Sequence, residues 1–329
     1  MIPAEFSKLH ERLASHDGEC VLCLATTANV NNPPVLLGSL RLADGILAGN
    51  LILRETASLP EIIKRFDALV SRFFIDCEVK AGINLGAAVH ELIPSNRRHF
   101  FKPNDFTVEA ADEWVAQRMP KLEGARVGIV GAGNIGAKLA LRLAERGSEV
   151  RLVGRRIAIL EATVQGLNAF LRGSGAVIAC PSIVDACARA DVIIGCTPGT
   201  AAIDTEAIEI SQASLMLDVG NGCFTRGAIA AAQELGLSLE VLSPTAGWEG
   251  FLRRYAATRK LQQGLGRRQL DSGEWIVSRG IMGAAGDVLV DDISQPTRVI
   301  GVCNGMGDLL YGDEAMQRMK SVEANLGIV

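Results

Sequence analysis

The stretch VGIVGAGNIGAKLALRLAERGSEVRLVGRR, residues 127–156, holds the two features on which the reading of this chain turns. A short apolar run, RVGIV at 126–130, is followed at once by Gly131, Gly133 and Gly136 in GxGxxG spacing, and then by apolar residues at helical period. Strand, glycine loop and helix in that order form a cradle for a dinucleotide pyrophosphate. Gly131 permits the tight turn, Gly133 lets backbone approach the phosphates, and Gly136 allows close helix packing. The helix N-terminus, with Asn134, Ile135 and Gly136, offers amides and the positive end of its dipole. The stretch ends on Val153, Gly154, Arg155 and Arg156. About 20 residues past the glycines, an NAD site places an acid for the ribose diol. This chain has Gly154 there. A carboxylate would repel a 2′-phosphate; glycine leaves room, and the planar forks of Arg155 and Arg156 suit that group. The expected cofactor is NADP(H).

Outward from this stretch, apolar runs recur at 126–130, 149–153, 176–180, 191–196, 215–219 and 238–242, separated by helical segments. Continuous apolar runs suit parallel strands covered on both faces. The predicted fold is α/β: a doubly wound parallel (Rossmann) sheet with a smaller α/β N-terminal substrate domain. Loops at the carboxyl ends of strands are expected beside the nicotinamide. This makes Cys196, Thr197 and Pro198 in GCTPGT, and Val219 and Gly220 in DVGNG, further cofactor candidates, with plain turn chemistry as the alternative.

Ahead of this domain, EFSKLHERLAS reads as a helix and CVLCLAT as a strand. Residues 36–53 read as two strands around Asp44-Gly45, and Ser58 is placed to cap a helix through 59–70. RFFIDCEVK at 72–80 reads as a strand, and a helix is expected from about Thr107 to Gln117. Pro120 and Gly124 break the periodicity. The expected division is therefore 1–119 for the N-terminal domain and 120–264 for the nucleotide domain. The glycine-rich segment 265–329 is expected to fold back and complete the first.

The 329 residues are 48% hydrophobic and 21% charged, with a formal net charge of −4. That is ample core material, with no basic tract for nucleic acid. The start, MIPAEFSKLHERLASH, lacks a secretory h-region, and no run approaches the roughly 20 apolar residues of a membrane span. Eight scattered cysteines fit reduced thiols, and Cys20 and Cys23 fit a buried strand better than half a zinc site. A cytoplasmic homodimer acting on a small molecule, with no metal, nucleic acid or membrane, is the expectation.

VGIVGAGNIGAKLA, VGRR, ADVIIGCTPG and LMLDVGNG together resemble the shikimate dehydrogenase and glutamyl-tRNA reductase superfamily over residues 120–241. The resemblance implies an active site between an N-terminal domain and the nucleotide domain. Its shikimate branch pairs a lysine with an aspartate, which maps here onto Lys80 and Asp105. The serine-containing carboxylate motif of that branch is missing, so shikimate itself is not the implied substrate. Gln262 or Gln263 in KLQQGL echoes a glutamine that contacts substrate.

A lysine beside a carboxylate can move a proton as hydride moves at carbon. Strand alternation would put Asp76, Glu78 and Lys80 on one face, lining a cleft or a solvated edge. His90 and His99 are further acid/base candidates, and Arg97, Arg98 and Lys102 could hold an anion or simply face water. The expected activity is NADP-dependent hydride transfer at a C=O or C=N carbon. Two alternatives stand beside it: an acyl-thioester reductase using Cys77, whose acidic neighbours should raise its pKa, and a non-catalytic NADP(H) sensor.

Overall fold

The structure, a computed structural model, describes residues 5–328. Residues 1–4, the first of the amphipathic start, and residue 329 lie outside the described residues. The chain divides into two compact units at Phe251/Leu252.

The first unit holds two sheets. Helix α1 (Glu5–Ala14) leads into β1 (Glu19–Thr26), β2 (Val35–Leu37), β3 (Arg41–Ala43) and β4 (Ile46–Leu53). Then come α2 (Leu59–Phe66), β5 (Arg72–Asp76), α3 (Leu85–Ala88), β6 (Arg98–Phe101) and α4 (Pro103–Arg118). The sheet order is β2-β4-β1-β5-β6, with β3 also on β4; β1, β4, β5 and β6 run parallel. Asp44 and Gly45, at φ 47° and 76°, make the two-residue turn between β3 and β4. Positive φ at both positions matches the right-handed strand twist. The single strand expected before that turn is two: β2 pairs with the far end of β4 and β3 with its near end. Ser58 stands at the N-cap of α2 but makes no side-chain cap bond. Helix α4 begins earlier than expected, because Pro103 fits its first turn, and so takes in Asp105.

The second sheet follows the predicted rhythm: β7 (Arg126–Val130), α5 (Asn134–Glu145), β8 (Glu149–Val153), α6 (Ile157–Phe170), β9 (Ala176–Cys180), α7 (Ile183–Cys187), β10 (Val192–Gly195), α8 (Thr205–Glu209), β11 (Leu215–Asp218), α9 (Arg226–Glu234), β12 (Ser238–Val241) and α10 (Thr245–Gln263). Its order, β12-β11-β10-β7-β8-β9, is parallel throughout. This is the doubly wound order, with its switch point between β7 and β10, where ligands bind beyond the strands' carboxyl ends. Val127, Ile129, Leu152, Ile194 and Leu217 are buried with Leu139 and Leu143 of α5.

One face of the N-terminal sheet buries Leu22, Leu51 and Phe73 against Phe6, Leu9 and Phe66. The other carries Phe74, His99 and Phe101, which meet Phe106 of α4 and Trp248 and Phe251 of α10. Phe106 lies 4.7 Å from Phe251 and 4.8 Å from Trp248, ring centre to ring centre. Buried Asp112 then ties α4 to α5 by accepting from Arg142 at 3.1 Å and from Arg146 at 2.7 and 3.1 Å.

The second unit, Leu252–Val329, takes up the segment expected to complete the N-terminal domain. Its strands β13 (Arg267–Gln269), β14 (Trp275–Ser278), β15 (Val288–Val290), β16 (Val299–Cys303) and β17 (Leu309–Leu310) form a sheet of their own, and none joins the N-terminal sheet. Helix α11 (Asp313–Leu326) places Val322 in a separate core with Ile276, Val288 and Val302. With its own buried apolar cluster, the segment has no need to borrow another sheet's face. Arg267 grips buried Asp287 through two bonds of 2.7 and 2.9 Å and lies 4.0 Å over the Trp275 ring. No helix among the described residues is long and apolar enough to cross a membrane.

Phe106→Ala should cost about 3–5 kcal/mol of first-unit stability, the usual range for deleting a buried aromatic. Urea unfolding monitored by Trp248 fluorescence checks this; a loss below about 1 kcal/mol would show that the aromatic cluster does not hold α4 and α10 to the sheet.

Candidate functional site

A cavity of about 650 Å³ opens at the carboxyl ends of β7, β8 and β10. Its walls include Gly131, Gly133, Gly154, Arg155, Arg156, Cys196, Thr197 and Pro198, with Ala28 and Val30 from the loop after β1. Gly131 sits at φ 117°, where a Cβ would lie 2.8 Å from the Cys196 carbonyl. A Cβ on Gly136 would lie 1.9 Å from the Gly131 oxygen, so the turn closes only with glycine at both places. A Cβ on Gly133 would meet nothing within 4 Å. That open space above the start of α5 is where an anion meets helix amides.

Gly154 has a second reason to be glycine. A Cβ there would come within 2.9 Å of the Ala132 Cβ, so an acidic side chain would crowd the phosphate loop as well as repel a 2′-phosphate. Arg155 and Arg156 are exposed on the cavity rim, and neither side chain bonds or pairs with any described residue. Two guanidinium groups with no internal partner are available to an anion from outside.

Of the other expected cofactor residues, Asn134, Ile135, Gly136, Val219 and Gly220 do not line the cavity. Ile135 packs on the nucleotide-domain core and Val219 is buried in it, while Gly220 accepts the Gly199 N–H at 3.2 Å and so shapes the loop after β10. Asn134 instead donates its side-chain amide to Glu78 Oε1 at 2.8 Å.

That bond leads to a charged cluster at the carboxyl ends of β1 and β5. Asp76 has no solvent exposure. Its Oδ2 accepts from Thr26 N at 3.0 Å, Thr26 Oγ1 at 2.8 Å and Lys80 Nζ at 2.8 Å, while its Oδ1 accepts from Glu78 N at 2.8 Å. Lys80 Nζ also lies 3.3 Å from Glu78 Oε2 and 3.4 Å from the Thr26 carbonyl oxygen. Glu78 Oε2 accepts the Asn104 N–H of α4 at 3.2 Å. Asp76, Glu78 and Lys80 do converge, though not by strand alternation. β5 stops at Asp76, and Lys80 is held by a two-residue turn through Ala81 and Gly82, at φ 50° and 80°.

Asp105 does not pair with Lys80. From the first turn of α4 it pairs with Lys138 of α5, and Asp76 is the carboxylate on the lysine. The reason is topological: β1 and β5 are neighbours in the sheet, which brings Thr26, Asp76 and Lys80 together, whereas α4 lies against α5. Sequence reasoning gave Asp76 no role of its own; an acid ending an apolar strand was the available signal. It also missed Asp218, buried at the end of β11, whose Oδ2 accepts from Gly222 N at 2.7 Å and Cys223 N at 3.2 Å and so fixes the next loop.

The remaining candidates lie elsewhere. His90 is exposed, and His99 lies 4.9 Å from the Phe74 ring, where burial and then Arg72 push its imidazole below the usual range. Arg97 is bound to Asp67 and to the Val70 carbonyl and is engaged within the N-terminal domain. Cys77 is exposed, yet partial burial and then Asp76 raise its thiol pKa. Gln262 and Gln263 belong to the second unit.

Residues 126–222 match the model of a family described as NADP oxidoreductase, coenzyme F420-dependent. The match spans β7 to the loop after β11, so the nucleotide-binding domain is of oxidoreductase type. The comparison with curated proteins found no match. Among solved structures, the chain is similar to a dipicolinate synthase chain from Bacillus halodurans, at 11% identity and TM-score 0.37 over 74% of this chain and 98% of that one. It is also similar to L-tryptophan dehydrogenase from Nostoc punctiforme, at 14% identity and TM-score 0.39 over 68% and 69%. Glutamyl-tRNA reductase from Methanopyrus kandleri matches at 21% identity and TM-score 0.36 over 47% and 39%. Likenesses this distant say nothing of substrate.

Arg155→Ala/Arg156→Ala should weaken NADPH roughly 10- to 100-fold, as loss of charge-assisted bonds to a phosphate does, and leave NADH unchanged. Fluorescence titration of both nucleotides checks this; equal losses for the two would mean that the arginines do not read the 2′-phosphate.

Proposed function

We propose that this protein is an NADP-dependent oxidoreductase acting at a C=O or C=N carbon of a small polar metabolite. The observation that carries the reading is a juxtaposition. A lysine on a buried carboxylate stands one side chain, Glu78, away from the residue that opens the dinucleotide helix.

The residues present fit the nucleotide: an open space above Gly133, a 650 Å³ cavity and two unpaired arginines at its rim. Gly131, Gly133, Gly154, Arg155, Arg156, Cys196, Thr197 and Pro198 would hold it, and when bound it supplies or accepts the hydride. In the reducing direction, the Lys80 ammonium gives a proton to the substrate oxygen or nitrogen, and in the oxidising direction the neutral amine takes it back. Asp76 keeps the Nζ in place and stabilises the ammonium. Its own oxygens are held by Thr26 and the Glu78 N–H. Ala28 and Val30, on the loop that Thr26 begins, line the same cavity.

The raised thiol pKa of Cys77 weighs against the thioester route, because thiolate is the nucleophile. The lysine cluster weighs against a sensor, which needs no proton donor beside its nucleotide.

NADPH consumption across small carbonyl and imine compounds tests the reading. Once a substrate is found, Lys80→Met should lose about 10²–10⁴-fold in kcat, the usual contribution of a general acid, while still binding NADPH, and Cys77→Ala should keep wild-type turnover. Turnover that survives Lys80→Met, or vanishes in Cys77→Ala, would sink the lysine route.

A further inference from the structure

We infer that Glu78 is the residue that couples the lysine cluster to the cofactor loop, and that its charge holds NADPH binding below what the cavity would otherwise give. The inference rests on the cofactor reading above.

Glu78 divides its carboxylate between two structures. Oε2 lies 3.3 Å from Lys80 Nζ and accepts the Asn104 N–H at 3.2 Å, at the start of α4. Oε1 accepts from Asn134 Nδ2 at 2.8 Å, at the start of α5. The side chain is only 10% exposed, so water screens it little. Asn134 follows directly on Gly133, whose open side faces the cavity, and this helix start is where a pyrophosphate is expected.

A carboxylate one hydrogen bond from that place opposes the incoming phosphates. Lys80 offsets only part of this. The group Asp76, Glu78 and Lys80 holds two carboxylates and one ammonium, and the ammonium is shared between both acids. A carboxamide has a single acceptor oxygen, so Gln at 78 keeps the Asn134 bond or the Asn104 bond but not both. Loss of a bond would loosen the start of α4 or α5 and weaken nucleotide binding, whereas loss of the charge strengthens it, so the two effects differ in sign. The charge gives the protein a cofactor site whose affinity depends on the state of the proton-transfer cluster, with the lysine's counter-charge as the variable. A change at Lys80 is thereby felt at the nucleotide, and the reverse follows by linkage.

The test compares NADPH with adenosine 2′-monophosphate, which carries the 2′-phosphate but none of the pyrophosphate. Dissociation constants are measured on the full chain by isothermal titration. In Glu78→Gln, NADPH should bind about 3- to 10-fold tighter, the effect of removing one partly screened charge, with adenosine 2′-monophosphate unchanged. Lys80→Met, which removes the counter-charge, should move NADPH a few-fold the other way, and Glu78→Gln/Lys80→Met should restore it. Glu78→Gln binding NADPH no tighter than the wild type overturns the inference, and so does equal tightening of both ligands. Should Glu78→Gln lose adenosine 2′-monophosphate through misfolding, Lys80→Met decides: unchanged NADPH binding there overturns the inference. If the wild type binds neither ligand, the cofactor reading itself fails, an outcome distinct from those above.

Discussion

A carboxylate with no access to solvent must find its hydrogen bonds inside the protein or not be ionised at all, and Asp76 meets that demand completely. Two donors come from Thr26, one from the Glu78 backbone and one from Lys80. Each donor fixes something the site depends on. Thr26 ends β1 and starts the loop whose Ala28 and Val30 line the cavity; the Glu78 N–H turns the chain out of β5; Lys80 is drawn back over the strand ends by the turn through Ala81. Burying one acid at the end of a parallel strand therefore organises the lysine ammonium, the loop after β1 and the bridge to the nucleotide domain.

The rest of the site is arranged around opposite charges at its two ends. Arg155 and Arg156 stand on the rim in contact with water, where an unpaired guanidinium costs nothing to maintain and is ready for an anion. The lysine cluster lies at the other end, with most of its charge answered internally. Gly131 and Gly133 line the cavity behind the arginines, and the Asn134 side chain joins the start of α5 to Glu78 of the lysine cluster. The same logic separates Cys77 from Lys80, three residues apart. Partial burial and Asp76 penalise a thiolate at Cys77, while Asp76 and Glu78 both stand within ion-pair distance of Lys80 Nζ.

How much was legible followed the range of the interactions. The six strands of the nucleotide domain lie within a residue of the predicted runs, because β7, β10 and β11 at the centre are buried on both faces and must be apolar throughout, and the loops must break that pattern. The glycine spacing was equally legible because it follows directly on a strand, although the groups that forbid a Cβ at Gly131 and Gly154 are Cys196 and Ala132, from other loops. Residues 72–80 were not: the run reads as one strand, yet it ends at Asp76 because the carboxylate's partners lie on β1, 50 residues earlier. The sheet of the tail was not legible either, because its short strands have no partner that periodicity can name.

The sequence by itself determined the doubly wound sheet, the phosphate loop and the arginines that replace an acid after β8. These depend on residues close along the chain, where spacing and side-chain type carry the physics. The tertiary structure alone decided which carboxylate meets Lys80. Asp105 and Asp76 are both acids within reach in sequence terms, but α4 packs on α5 and sends Asp105 to Lys138, while the pairing of β1 with β5 puts Asp76 beneath the lysine. It also decided that the C-terminal segment builds a sheet of its own, and that Glu78 reaches Asn134. Contacts of that kind are set by strand order and helix packing, which a run of residue types does not encode locally.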